Sequence, residues 1–117
     1  MARPEEYYFK EGCFIEEWHN NNGDQDCSVA RVRVEAKQTT KLHKLRNTTE
    51  RYVMLSGRAL VTVAENTWEV GEGDVVVIEA GQAQKITNLN NSDLVFLAVC
   101  TPRFEVANYS ECNELQD

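Results

Sequence analysis

The stretch from residue 39 to residue 57, TTKLHKLRNTTERYVMLSG, decides how the rest of the chain is read. Its two halves, TKLHKLR at 40–46 and RYVMLS at 51–56, have the length and apolar content of short strands, and the polar run between them makes a turn. Residues two apart in a strand face the same side, so His43 shares a face with position 45, which is Leu45. Glu50 begins the second strand, and Tyr52 and Met54 follow it on one face. Taken as adjacent strands, the two segments aim an imidazole and a carboxylate into one cavity, as a divalent metal or a small polar ligand requires.

Outward from this pair the same texture continues. Strands are expected at 28–36, 40–46, 51–56, 58–64, 67–70, 74–80, 83–88 and 93–101, with turns at Ser56-Gly57, between Gly71 and Gly73, and at residues 90–93. Eight short strands without a long helix predict an all-β sandwich or barrel. The run VVVI at 75–78 reads as buried on both faces, and Trp68 as packing. Arg51 and Lys85 alternate away from Glu50 and Gln84 to the outer surface.

Residues 1–27 form an arm that carries Tyr7, Tyr8, Phe9, Phe14 and Trp18, too much apolar surface for a solvated tail. It is expected to pack on the barrel of residues 28–101 or on a dimer partner. His19, among asparagines in the loop HNNNGDQD, is expected to be solvated. Residues 102–117 read as a short helix or a loose tail.

A chain of 117 residues fits one domain. Its formal charge of -7 and lack of a broad basic patch make nucleic acid and anionic membranes poor partners. No apolar run approaches the roughly 20 residues that span a bilayer, and the first residues lack the apolar core of a signal peptide, so the expected address is the cytoplasm. The four cysteines, Cys13, Cys27, Cys100 and Cys112, form no C-x-x-C pair and are expected to be free thiols, with Cys100 a small buried hydrophobe.

Two spacings carry a resemblance. His43-Lys44-Leu45, four residues, Glu50, six residues and Gly57 make the first; Gly73, five residues, Glu79-Ala80-Gly81, two residues, Gln84, three residues and Asn88 make the second. In these registers the chain resembles the cupins, in particular the single-domain bacterial type, with degenerate metal motifs. The resemblance covers about residues 28–101 and implies a double-stranded β-helix, or jelly-roll barrel, a homodimer and a ligand cavity in the barrel. It also implies a divalent metal (iron, manganese, nickel, cobalt or zinc) on His43, Glu50 and Gln84. Leu45 and Gln84 stand where the family has histidines, and Glu79 where it has proline. An amide oxygen is a weak ligand for such a metal.

Two functional readings follow. In one, the barrel is a weakly metal-dependent enzyme of isomerase, epimerase or dioxygenase type acting on a small polar metabolite, with His43 and Glu50 as catalytic residues and Leu45, Tyr52 and Met54 as cavity wall. In the other it is a metal-free, non-enzymatic cupin that binds a small ligand. A metal-free variant of the first uses Glu50 and His43 as an acid and base pair, with the carboxylate expected to raise the histidine pKa.

Overall fold

A computed structural model describes residues 4–113. Eleven strands form two sheets: β1 (Tyr7–Phe9), β2 (Cys13–His19), β3 (Ser28–Val34), β4 (His43–Leu45), β5 (Thr49–Ser56), β6 (Ala59–Val63), β7 (Asn66–Val70), β8 (Val75–Ile78), β9 (Gln84–Asn88), β10 (Leu94–Thr101) and β11 (Tyr109–Glu111). One sheet has the order β1-β2-β3-β10-β5-β8 and the other β11-β4-β9-β6-β7, with antiparallel pairing throughout. The two sheets enclose a double-stranded β-helix whose eight middle strands correspond to the eight expected segments.

Strand parity builds the interior. Along β10 every second residue is buried, and Leu94, Phe96, Ala98 and Cys100 face inward. Met54 on β5 lies opposite Phe96, and Tyr52 opposite Ala98, so apolar rows cross the sheet. Each large aliphatic or aromatic side chain taken fully out of water here contributes on the order of 2 kcal/mol. β8 obeys the same parity. Val76 and Ile78 are buried, but Val75 and Val77 are 56% and 53% exposed, which corrects the expectation that this run is buried on both faces. β8 lies at the edge of its sheet, and its outer face has no covering layer among the described residues. Trp68, expected as packing, is 40% exposed on the edge strand β7.

Two motif residues work as structure. Gly57 turns the chain between β5 and β6 at φ +96°, and a Cβ there would meet Asn90 Nδ2 at 2.7 Å. Asn88, fully buried, donates from Nδ2 to the carbonyls of Val34 at 3.0 Å and Ser92 at 2.8 Å, tying three segments together. At the position of the absent proline, the Glu79 N–H donates to Gln82 Oε1 at 2.8 Å, a bond that proline cannot make.

The described segments before β3 and after β10 both join the barrel. The arm forms the β1–β2 hairpin and extends the first sheet beyond β3. Its turn is fastened to the opposite sheet, where Lys41 N–H donates to the Glu11 carbonyl at 2.7 Å. At the other end, a one-turn 3-10 helix at Val106–Asn108 leads into β11, which pairs with β4. Residues 114–117 of the expected tail lie outside the described residues. Among the described residues no helix is long and apolar enough to cross a membrane.

Candidate functional site

His43 and Glu50 do meet in one interior, but not from adjacent strands. β4 belongs to the second sheet and β5 to the first, so the two residues face each other across the barrel. The short turn at residues 46–48 carries the chain from one sheet to the other, which sequence spacing alone does not distinguish from a hairpin. Gln84 lies directly opposite His43 on the neighbouring strand β9.

His43 is 1% exposed. Its Nδ1 lies 2.6 Å from the Lys41 carbonyl, and because a carbonyl only accepts, Nδ1 carries the hydrogen. Burial drives the imidazole below its ordinary pKa, against the opposing pull of the Lys41 carbonyl and the Glu50 carboxylate. The expectation that Glu50 would raise this pKa is therefore overturned: loss of water around the ring outweighs the carboxylate. A neutral ring with its hydrogen on Nδ1 leaves Nε2 as a bare acceptor.

That acceptor faces a residue outside both motifs. Glu11, in the β1–β2 turn, places Oε1 3.5 Å from His43 Nε2. Burial raises the Glu11 carboxyl to about 7, partly offset by a hydrogen bond with Cys13. Burial, and then the charge of Glu11, raises Glu50 to about 7 as well, against the lowering influences of His43, Gln84 and Cys100. Two carboxyls that titrate near neutrality thus flank one neutral imidazole. Tyr109, on β11, stacks on that imidazole with ring centroids 5.2 Å apart and planes at 26°.

The other expected site residues divide. The Tyr52 hydroxyl donates to Gln84 Oε1, and Tyr52 lines a cavity of about 40 Å³ together with Glu11, Cys100, Phe9, Phe96 and Phe104. That volume holds roughly two or three waters. The cavity reaches the polar cluster through Glu11, Tyr52 and Cys100; His43, Glu50 and Gln84 are not part of its lining. Met54 belongs to the main apolar core, and Leu45 packs in a smaller cluster with Cys100 and Tyr109. His19 is exposed and lies 2.8 Å from Asp24, away from this interior.

The donor set does not fit the divalent cation that the motifs imply. Gln84 Oε1 already accepts from Tyr52, Leu45 has no ligand atom, and no group of three or more His, Cys, Asp and Glu side chains is placed to hold a metal ion among the described residues. Neither Glu11 nor Tyr109 is marked as a site residue by the sequence. The one available signal is the FKEGC stretch at 9–13, where a glycine between apolar residues marks a hairpin turn.

Comparison with known proteins gives this architecture its family. A family model described as "Cupin domain" matches residues 30–100. The chain belongs to the cupins. This cupin is 32% identical over 100 residues to the uncharacterized protein MJ1618 of Methanocaldococcus jannaschii, covering 84% of the chain and 80% of the relative. Among solved structures it is similar to Pac13 of Streptomyces, described as a nucleoside dehydratase, at a TM-score of 0.79 and 14% identity, covering 94% of this chain and 85% of that one. It is also similar to the oxalate decarboxylase of Bacillus subtilis at a TM-score of 0.80 and 20% identity, covering 92% of this chain and 30% of that one. At such identities these likenesses show the fold alone; two of the neighbours are enzymes by name.

Proposed function

We propose that this cupin takes a small polar metabolite into its barrel and moves a proton on it without a metal, as an isomerase or epimerase does. The observation that carries this reading is the arrangement at His43: the Lys41 carbonyl fixes the hydrogen on Nδ1 and leaves the Nε2 lone pair bare beside the Glu11 carboxyl. Nε2 acts as base toward a C–H next to a carbonyl. As that bond breaks, its electron pair moves onto the carbonyl oxygen, which receives a proton from Glu11 or Glu50. Where the carbon that loses its hydrogen carries a hydroxyl, return of the proton to the former carbonyl carbon, as that hydroxyl gives its own proton back to the carboxylate, gives isomerisation; return to the other face of the same carbon, as the enol oxygen gives its proton back, gives epimerisation. Both carboxyls are raised to about 7, so each is partly protonated near neutrality and suited to give as well as take a proton. The named activity of Pac13 supports the class, because dehydration also requires that protons be placed on and taken from a small substrate.

The test is solvent deuterium exchange into a panel of small hydroxy-carbonyl compounds, followed by NMR on tag-free protein whose metal content is measured in the same sample. Exchange at substoichiometric metal is expected, falling by about 10²- to 10⁴-fold in His43→Asn, the usual range for loss of a general base. Exchange that appears only after a divalent metal is added would return the site to the metal-dependent reading. Saturable binding with no exchange would leave a ligand-binding cupin without chemistry.

We propose a second copy of the chain as the partner for the outer face of the six-stranded sheet. Exposed Val75 and Val77 on the edge strand β8, with Val53 opposite Val75 on β5, support an interface there.

A further inference from the structure

Three buried side-chain atoms have no hydrogen-bond partner among the described residues: Glu50 Oε1, Gln84 Nε2 and Tyr109 Oη. Buried polar groups are nearly always paired, and leaving three unpaired in one interior costs stability that a ligand can restore. The three belong to the surroundings of His43. Gln84 is its partner across the β4–β9 ladder, Tyr109 stacks on its ring, and Glu50 faces it from the other sheet.

The chemistry of the three atoms selects among ligands. Gln84 Nε2 only donates, because the other end of the amide is already occupied by Tyr52. An ionised Glu50 Oε1 only accepts. Gln84 lies close enough to Glu50 for its amide to lower the carboxyl's pKa, yet neither Nε2 nor Oε1 has a partner at ordinary hydrogen-bond length, so each keeps capacity for a ligand atom. A hydroxyl can serve both, accepting from Gln84 and donating to Glu50. The Tyr109 hydroxyl then has a donor's hydrogen left for a carbonyl oxygen. An anion has no hydrogen for Glu50 Oε1, and above pH 7, where Glu50 and Glu11 are largely ionised, both repel it. An ammonium satisfies Glu50 but cannot accept from Gln84 or Tyr109.

Resting on the reading that ligand enters this interior, we infer that the site binds a neutral compound carrying a hydroxyl beside a carbonyl, and that Tyr109, from outside the matched cupin domain, is one of its binding residues. Cys100 and Tyr52 connect the polar cluster to the small cavity, which favours a ligand of about triose size.

The experiment uses 15N-labelled protein and three probes: neutral dihydroxyacetone, anionic acetate and cationic ethylammonium, the last two without a hydroxyl. Dihydroxyacetone is expected to shift the Gln84 side-chain amide saturably at pH 8, where both carboxyls are largely ionised, while the other two leave it in place at the same concentration. Tyr109→Phe, which keeps the ring, is expected to weaken binding at least fivefold; if it fails to fold, Glu50→Gln reads the same site from the opposite sheet, with the same loss. Equal shifts from acetate or ethylammonium, or unchanged affinity in the folded variant, would overturn the inference. So would a Gln84 amide that no probe moves, which would mean that water alone fills the gap. In each of those cases metal-free deuterium exchange into other carbonyl compounds would still uphold the proton-transfer reading.

Discussion

At the scale of single residues, the interior sets the ionisation of His43, Glu11 and Glu50 by removing water from them. For the two carboxyls this has a consequence for stability. Each has a folded-state pKa of about 7 against an ordinary 4.5, so between those values the folded protein holds more protons than the unfolded chain. Stability therefore falls as pH rises from 4.5 to 7 and stays lower above it. His43 works the other way, because its lowered pKa adds stability as pH rises toward 6.5. Replacing Glu11 or Glu50 by glutamine removes the carboxyl contribution. Either variant is expected to be more stable than the parent at pH 8 by up to about 3 kcal/mol, at about 1.4 kcal/mol per pK unit. The advantage should vanish near pH 4.5, as followed by urea unfolding at each pH. The two gains will not add, since the charge of Glu11 is itself a cause of the Glu50 shift.

At the scale of elements, the turns of the two motifs carry the fold. Gly57 has both a positive φ and a neighbour in the way, whereas Gly73 has φ +88° and open space for 4 Å around the point where a Cβ would stand. Gly57→Ala is expected to cost about 1–3 kcal/mol, and Gly73→Ala about 1 kcal/mol or less, read as the shift of the urea midpoint. The strands of the barrel were legible in the sequence because parity and turn residues are local signals, and His43, Glu50 and Gln84 were placed inward by them. Glu11 and Tyr109 were not legible, because nothing local ties a residue of the arm or of the last strand to β4. The direction of the His43 shift was also hidden, since it depends on depth of burial and not on spacing. The all-apolar VVVI run conceals which of its faces is dry, and only its edge position in the sheet exposes Val75 and Val77.

At the scale of the whole molecule, the proposed pairing of two copies through the outer face of the six-stranded sheet predicts a light-scattering mass of twice 13.3 kDa. Val77→Lys should return it to the single-chain value; a parent that already runs at 13.3 kDa would remove the pairing. The packing of the β1–β2 turn and of β11 against β4 bears further on the proposed proton transfer. One face of the imidazole is covered by Tyr109, Nδ1 is tied to Lys41, and Nε2 alone is turned toward Glu11. Under the proposed proton transfer, the base thus cannot rotate or work from its other edge. A substrate held against it would meet it from one side only, so a prochiral carbon should exchange one of its two hydrogens and keep the other. On that proposal the pinned ring makes the barrel stereochemically handed.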